Sequence, residues 1–103
     1  MSTKPIYEET LAADGSTTWA KVVGPVWVSL TGGFGGGTAK IQRKNAAGTA
    51  VDIAGESYTA VADRLLDFPP AATNEIRVNI ASSTTPTLAV SIQWSSPYEQ
   101  QRG

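Results

Sequence analysis

The sequence predicts an all-β domain, an antiparallel β-sandwich of about seven or eight strands that is immunoglobulin-like or jelly-roll-like. Apolar and polar residues alternate with a period of two along most of the chain, as side chains do on the two faces of a strand. Turn signals separate these runs at intervals of about 8–12 residues. The 103 residues include 12 Thr and 8 Val, and residues branched at Cβ favour pleated structure.

The length indicates a single domain, since one domain usually takes about 100–200 residues. The alternating pattern occupies residues 6–94, which we expect to form the sandwich. Residues 1–5 have no core pattern and are expected to be a flexible N-terminal arm. Residues 95–103 are expected to be a polar C-terminal tail.

Five of the expected strands lie in the first half of the chain. They cover residues 6–11, 17–23, 26–31, 38–43 and 49–53. Asp14-Gly15-Ser16 predicts a turn because Asp hydrogen-bonds its own backbone and Gly accepts a positive φ. Asn45 to Gly48 is expected to close a hairpin, after which Val51 and Ile53 face inward.

The second half contains the clearest hairpin and the least certain segment. Apolar and polar residues alternate in 76–81 and in 88–94, on either side of a turn at 82–86. This pattern predicts two strands with one buried and one solvent-exposed face. Within 56–68, the spacing of Val61, Leu65 and Phe68 fits a short helical stripe, and 64–68 fits a strand equally well. Because only this stretch has helical spacing, extended structure or a single turn is expected.

The composition excludes several classes of chemistry. The chain has no histidine and no cysteine, which rules out disulfide scaffolds, zinc fingers and nucleophile systems built on those residues. Eight basic and nine acidic residues give no broad electrostatic footprint for nucleic acid or anionic lipid. We therefore expect no catalytic residues, no cofactor, no bound metal, no nucleic-acid partner and no membrane partner.

The glycine run at 32–37 has the spacing of a phosphate-binding loop but not its context. Thr38-Ala39 stands where Lys-Ser/Thr would be required, and a strand follows instead of a helix. The run is therefore interpreted as a mobile or tightly bent connection between strands. Phe34 within it is either a contact residue on the loop tip or a plug folded over the end of the sandwich.

Charged clusters have simpler interpretations than catalysis. Asp63 and Asp67 are expected to form a solvated acidic loop or to pair with Arg64, because no apolar setting marks them as an acid–base pair. Lys40, Arg43 and Lys44 lie on one hairpin without adjacent stacking aromatics. They are expected to be solvated or to contact an acidic partner at a rim.

The three tryptophans have different expectations. Trp94 ends the apolar face of the last strand and is expected in the core. Trp27 lies opposite Val26, Val28 and Leu30, so it belongs either to a second core or to an interface, where tryptophan is enriched. For Trp19 the same two positions, core and interface, are both possible. An exposed, coplanar pair among Trp19, Trp27 and Tyr58 would indicate carbohydrate binding.

The order of several segments resembles small all-β virion proteins of tailed bacteriophages, of the capsid decoration (cement) or head-fibre and tail accessory type. The segments are Asp14-Gly15-Ser16-Thr17, the run from Val26 to Thr38 with its glycine-and-Phe loop, Ile41-Gln42-Arg43, Gly48-Thr49, Glu75 to Ile80, and Val90 to Gln93. The resemblance spans roughly residues 10–94 and is one of style and spacing. The apolar stretch from Arg64 to Pro70 departs from it.

The resemblance implies a non-enzymatic structural subunit of a virion, made in the host cytoplasm. Its partners would be the major capsid protein or other virion subunits, and it would form a homo-oligomer, with a trimer favoured. The residues expected to make protein contacts are the aromatics and apolar groups of loops and termini: Ile6, Tyr7, Trp27, Phe34 and Tyr98. The alternative is a carbohydrate- or receptor-binding sandwich of a fibre or tail accessory protein.

Overall fold

A computed structural model describes residues 6–94 of the chain. The predicted arm, the predicted tail and Tyr98 lie outside the described residues. Residues 6–94 form nine strands and no helix. The strands are β1 (Ile6–Leu11), β2 (Gly15–Ser16), β3 (Ala20–Val23), β4 (Val26–Gly33), β5 (Thr38–Lys44), β6 (Ala50–Tyr58), β7 (Ala62–Leu66), β8 (Thr73–Ala81) and β9 (Thr87–Trp94).

The strands form two antiparallel sheets that pack face to face, which confirms the predicted sandwich. Sheet A has the order β1-β9-β4-β7. Sheet B has the order β2-β8-β5-β6, and β3 also pairs with β8. The strand count is nine because Gly15 and Ser16, expected in a turn, form the short strand β2, while the expected strand at 17–23 is shortened to β3.

The core lies between the two sheets and consists of their inward-facing side chains. Alternate residues of β4, β8 and β9 are fully or almost fully buried, as the period of two requires. The most deeply buried large side chains are Val22, Val26, Val28, Leu30, Ile41, Ile76, Val78, Ile80, Leu88, Val90 and Ile92. Trp94, expected in the core, is partly buried and packs against it.

The glycine run is a tight turn whose aromatic residue points into the core. Phe34 is 7% exposed, so the expectation of an exposed contact residue on the loop tip is wrong, and the plug interpretation describes its position. Gly35 has φ +59°, and a Cβ there would lie 2.4 Å from the carbonyl oxygen of Thr84. The Thr84 amide also donates to the Gly35 carbonyl at 2.8 Å. Only glycine allows this approach of the two turns.

The uncertain segment is extended. Residues 50–58 form β6 and residues 62–66 form β7. The chain passes from sheet B to sheet A between these two strands. Ile53 packs against the core as expected. Val51 pairs with Arg43, which pairs with the buried Ile76, so Val51 lies on the inward face of sheet B as expected. It is nevertheless 40% exposed on this edge strand.

Candidate functional site

The outer face of sheet A carries a row of side chains that crosses all four strands and is apolar and exposed on three of them. Ile6 pairs with Gln93, Gln93 with Trp27, and Trp27 with Leu65. Residues paired directly across antiparallel strands point to the same face, so these four side chains form one line. Trp27 is 52% exposed, and Ile6 and Leu65 are each 45% exposed. We call Ile6, Trp27, Leu65 and Gln93 the apolar row.

The next row on this face is polar and acidic at both ends. Glu8 pairs with Ser91, Ser91 with Ser29, and Ser29 with Asp63. Glu8 lies on edge strand β1 and Asp63 on edge strand β7, and both are exposed. Small hydroxyl side chains occupy the middle of the row. The two carboxylates therefore lie along one side of the apolar row, and the small side chains of Ser29 and Ser91 lie between them.

The outer face of sheet B is covered by polar side chains that bond to one another. Arg77 donates from Nε to Oε1 of Gln42 at 2.8 Å, and Gln42 donates from Nε2 to Oδ1 of Asp52 at 2.8 Å. Lys40 Nζ lies 3.5 Å from Oδ2 of the same carboxylate. These bonds, the Gln42 amide first, hold the pKa of Asp52 below its usual value.

Trp19 belongs to this polar face. The Arg77 guanidinium lies 4.6 Å from the centre of its ring, and Lys44 Nζ lies 5.0 Å from it. Both distances are in the cation–π range. Lys44 also pairs with Glu75 at 3.4 Å. Of the predicted basic cluster, Lys40 and Lys44 thus have acidic partners within sheet B.

A nearly buried carboxylate closes the sandwich where β6 meets β7. Glu56 is 8% exposed and receives both Nε and Nη2 of Arg64, at 3.1 and 3.2 Å. The Tyr58 hydroxyl donates to Oε1 of the same group. Arg64, followed by Tyr58, keeps the pKa of Glu56 below its usual value, and burial together with the carboxylate raises the pKa of Tyr58 to about 12. The sequence left open whether Asp63 and Asp67 are solvated or paired with Arg64. Both are exposed, and Arg64 pairs with Glu56.

The opposite side of the sandwich is closed by a second tyrosine–glutamate pair. Tyr7 donates its hydroxyl to Glu9 on β1, and the backbone amide of Thr18 donates to the same carboxylate oxygen at 3.1 Å. Thr18 lies between β2 and β3, so this contact joins sheet A to sheet B. Both glutamates therefore accept hydrogen bonds that join the sheets, which gives each of them a structural role.

The predicted contact residues separate into two groups. Ile6 and Trp27 lie together in the apolar row, whereas Tyr7 is half-buried against the core and Phe34 is in it. Leu65 and Gln93 complete the row and were not identified from the sequence. The pairing that brings Leu65 beside Trp27 joins residues 38 positions apart, and only the register reveals it. Glu56 was also missed.

The described residues contain no group suited to a metal ion. No cluster of three or more acidic, histidine or cysteine side chains that could hold one occurs in residues 6–94. Over the same range, no helix has the length and apolar character needed to cross a membrane.

Comparison with known proteins identifies no relative. No protein-family model, no curated protein and no solved structure matches this chain.

Proposed function

We propose that this chain is a non-enzymatic structural subunit of a tailed-bacteriophage virion, a decoration protein that stabilises the capsid by protein–protein contacts. One observation carries the proposal: a small sandwich with a filled core exposes Ile6, Trp27 and Leu65 in one row, which only Gln93 interrupts, on an otherwise polar face. Contiguous exposed apolar groups of this kind are typical of interaction sites. The assignment to a virion comes from the sequence resemblance.

The remaining features suit an adhesive role. Two of the less exposed carboxylates, Glu9 and Glu56, accept hydrogen bonds that join the two sheets. Tryptophan is enriched among residues that dominate interface energy, and Trp27 lies near the middle of its row. Many copies on a shell convert weak single contacts into stable attachment.

Co-sedimentation with shells prepared without the protein tests the proposal. The purified chain is expected to pellet with such shells and to raise the temperature at which they disassemble. Light scattering on the free chain is expected to give a homo-oligomer, a trimer in the favoured case. A strictly monomeric chain that never pellets with shells would contradict the proposal.

The alternative function, carbohydrate or receptor binding on a fibre or tail accessory protein, has one supporting observation. Trp27 is exposed beside Gln93, and the neighbouring row carries the hydroxyls of Ser29 and Ser91, a combination that suits stacking on a sugar ring. Trp19 and Tyr58 are half-buried, and Trp19 lies within cation–π distance of two cations while Tyr58 donates to Glu56. A glycan array without binding would argue against this alternative.

A further inference from the structure

We propose that the outer face of sheet A is the surface that docks on the shell, and that it recognises an apolar site flanked by two basic side chains about 14 Å apart. This inference rests on the proposed function and names the face, the partner's chemistry and its spacing. It concerns the apolar row together with Glu8 and Asp63.

The charge of this face is one-sided. By strand alternation, its outward residues on β1, β9, β4 and β7 include Glu8 and Asp63, and none of the described strand residues there is lysine or arginine. On sheet B, by contrast, Asp52 and Glu75 have cationic partners within the face. Within residues 6–94, the carboxylates of sheet A have no such partner on their own face. A partner that desolvates this surface must supply the opposite charge.

The strand order fixes the spacing of the two carboxylates. Glu8 and Asp63 lie in one cross-strand row, on the two edge strands of a four-stranded sheet. Adjacent strands are about 4.8 Å apart, so three intervals place the two positions about 14 Å apart. The apolar row runs parallel to this one, two residues along each strand, at a distance of about 7 Å. The partner therefore presents apolar groups beside a line joining two cations.

A second copy of the same face does not meet these requirements. In a two-fold dimer the same patch appears on both subunits. Pairing the faces would place four carboxylates in one interface, with no basic residue from the described part of either face to neutralise them. Like charges in such an interface disfavour the complex. The basic residues Lys40 and Lys44 already have acidic partners in sheet B, which disfavours that surface as the complement.

Binding to shells prepared without this protein, measured at two ionic strengths, tests the inference. Trp27→Thr and Leu65→Thr keep a residue of high β-propensity while removing the apolar groups. Trp27→Thr is expected to weaken shell binding by about tenfold or more, as for a central interface aromatic. Glu8→Gln and Asp63→Asn are expected to weaken binding several-fold at about 0.05 M salt and to have little effect at about 0.5 M, where exposed charges are screened.

Two variants on the other sheet serve as controls. Val51→Thr removes an exposed apolar group from β6, and Asp52→Asn removes a carboxylate from the outer face of sheet B while keeping an acceptor for Gln42. Both are expected to bind shells as the unaltered chain does. A double variant, Glu8→Lys with Asp63→Lys, is expected to abolish binding at low salt. Thermal unfolding of every variant distinguishes lost binding from lost folding.

The outcomes separate this inference from the proposed function. Undiminished binding by Trp27→Thr and Leu65→Thr would overturn the docking face while leaving a virion role in place. Unchanged binding by the neutralised and charge-reversed variants would overturn the cationic partner. Conversion of a homo-oligomer to monomers by Trp27→Thr would assign the face to a second copy and overturn the inference. Failure of the unaltered chain to bind shells at either salt concentration would overturn both.

Discussion

The two outer faces of the sandwich use tryptophan in opposite ways. On sheet B, Trp19 lies within cation–π distance of Arg77 and Lys44, and a chain of hydrogen bonds continues from Arg77 through Gln42 to Asp52. On sheet A, Trp27 is 52% exposed and its strand neighbours are Gln93 and Leu65. The first face pairs most of its charged groups internally, whereas the second exposes apolar area and has no cation among its described residues to pair with Glu8 and Asp63.

The difference teaches that a tryptophan next to buried sheet residues has no fixed role. Both residues alternate with buried positions, since Trp19 precedes Ala20 and Trp27 lies between Val26 and Val28. What distinguishes them is the chemistry of the residues delivered beside them by other strands. Cations from β5 and β8 flank one ring, and β7 supplies leucine beside the other.

Exchange of each tryptophan for threonine gives the largest expected contrast in stability. Trp19→Thr is expected to lower the free energy of unfolding by about 1–2 kcal/mol, because it removes two cation–π contacts and half-buried aromatic area. Trp27→Thr is expected to change it by no more than about 0.5 kcal/mol, since it replaces an exposed residue. Urea unfolding measures both. Equal losses would mean that the two faces do not differ in this respect.

The contact that joins the sheets at β6 and β7 sharpens the comparison by its response to acid. Glu56→Gln is expected to cost about 1 kcal/mol near neutral pH, a value reduced by the exposure of Arg64. Because the folded-state pKa of Glu56 is lowered, its stabilisation is present above the usual carboxyl range and is lost as the pH falls through the folded value. The free energy of unfolding, measured between pH 7 and pH 2, should therefore depend less steeply on pH in the variant.

A matched substitution on β7 controls for the loss of the ion pair. Arg64→Met keeps the apolar stem of the side chain and removes its charge. It is expected to reproduce most of the change in acid response that Glu56→Gln causes. An acid response identical to that of the unaltered chain in both variants would contradict the role assigned to this pair.

The smallest expected effect concerns the hydrogen-bonded network on sheet B. Gln42→Val is expected to raise the pKa of Asp52 toward its ordinary value, because the Gln42 amide is the strongest influence that lowers it. Lys40→Met is expected to raise the pKa less, since the Lys40 interaction is weaker. An NMR titration of the Asp52 carboxyl measures both shifts. A larger shift in the Lys40 variant would show that the ion pair, rather than the amide, dominates this face.

Much of the fold follows from local pattern, whereas the candidate site does not. The alternation of Val26, Val28 and Leu30 predicts their burial, and the same period assigns Trp27 to the other face. Whether that second face is covered or exposed depends on the number of layers in the molecule, which alternation does not encode. Glu56 illustrates the same limit, because its burial depends on an arginine that arrives from another sheet.

The sequence by itself determined an all-β sandwich, the inward positions of most strands and the absence of histidine and cysteine chemistry, because side-chain alternation and composition are local properties. Only the tertiary structure decided that Phe34 is buried and that Ile6, Trp27 and Leu65 stand in one line. Cross-strand register and loop packing join residues far apart in the chain, and these long-range contacts depend on all the strands folding together.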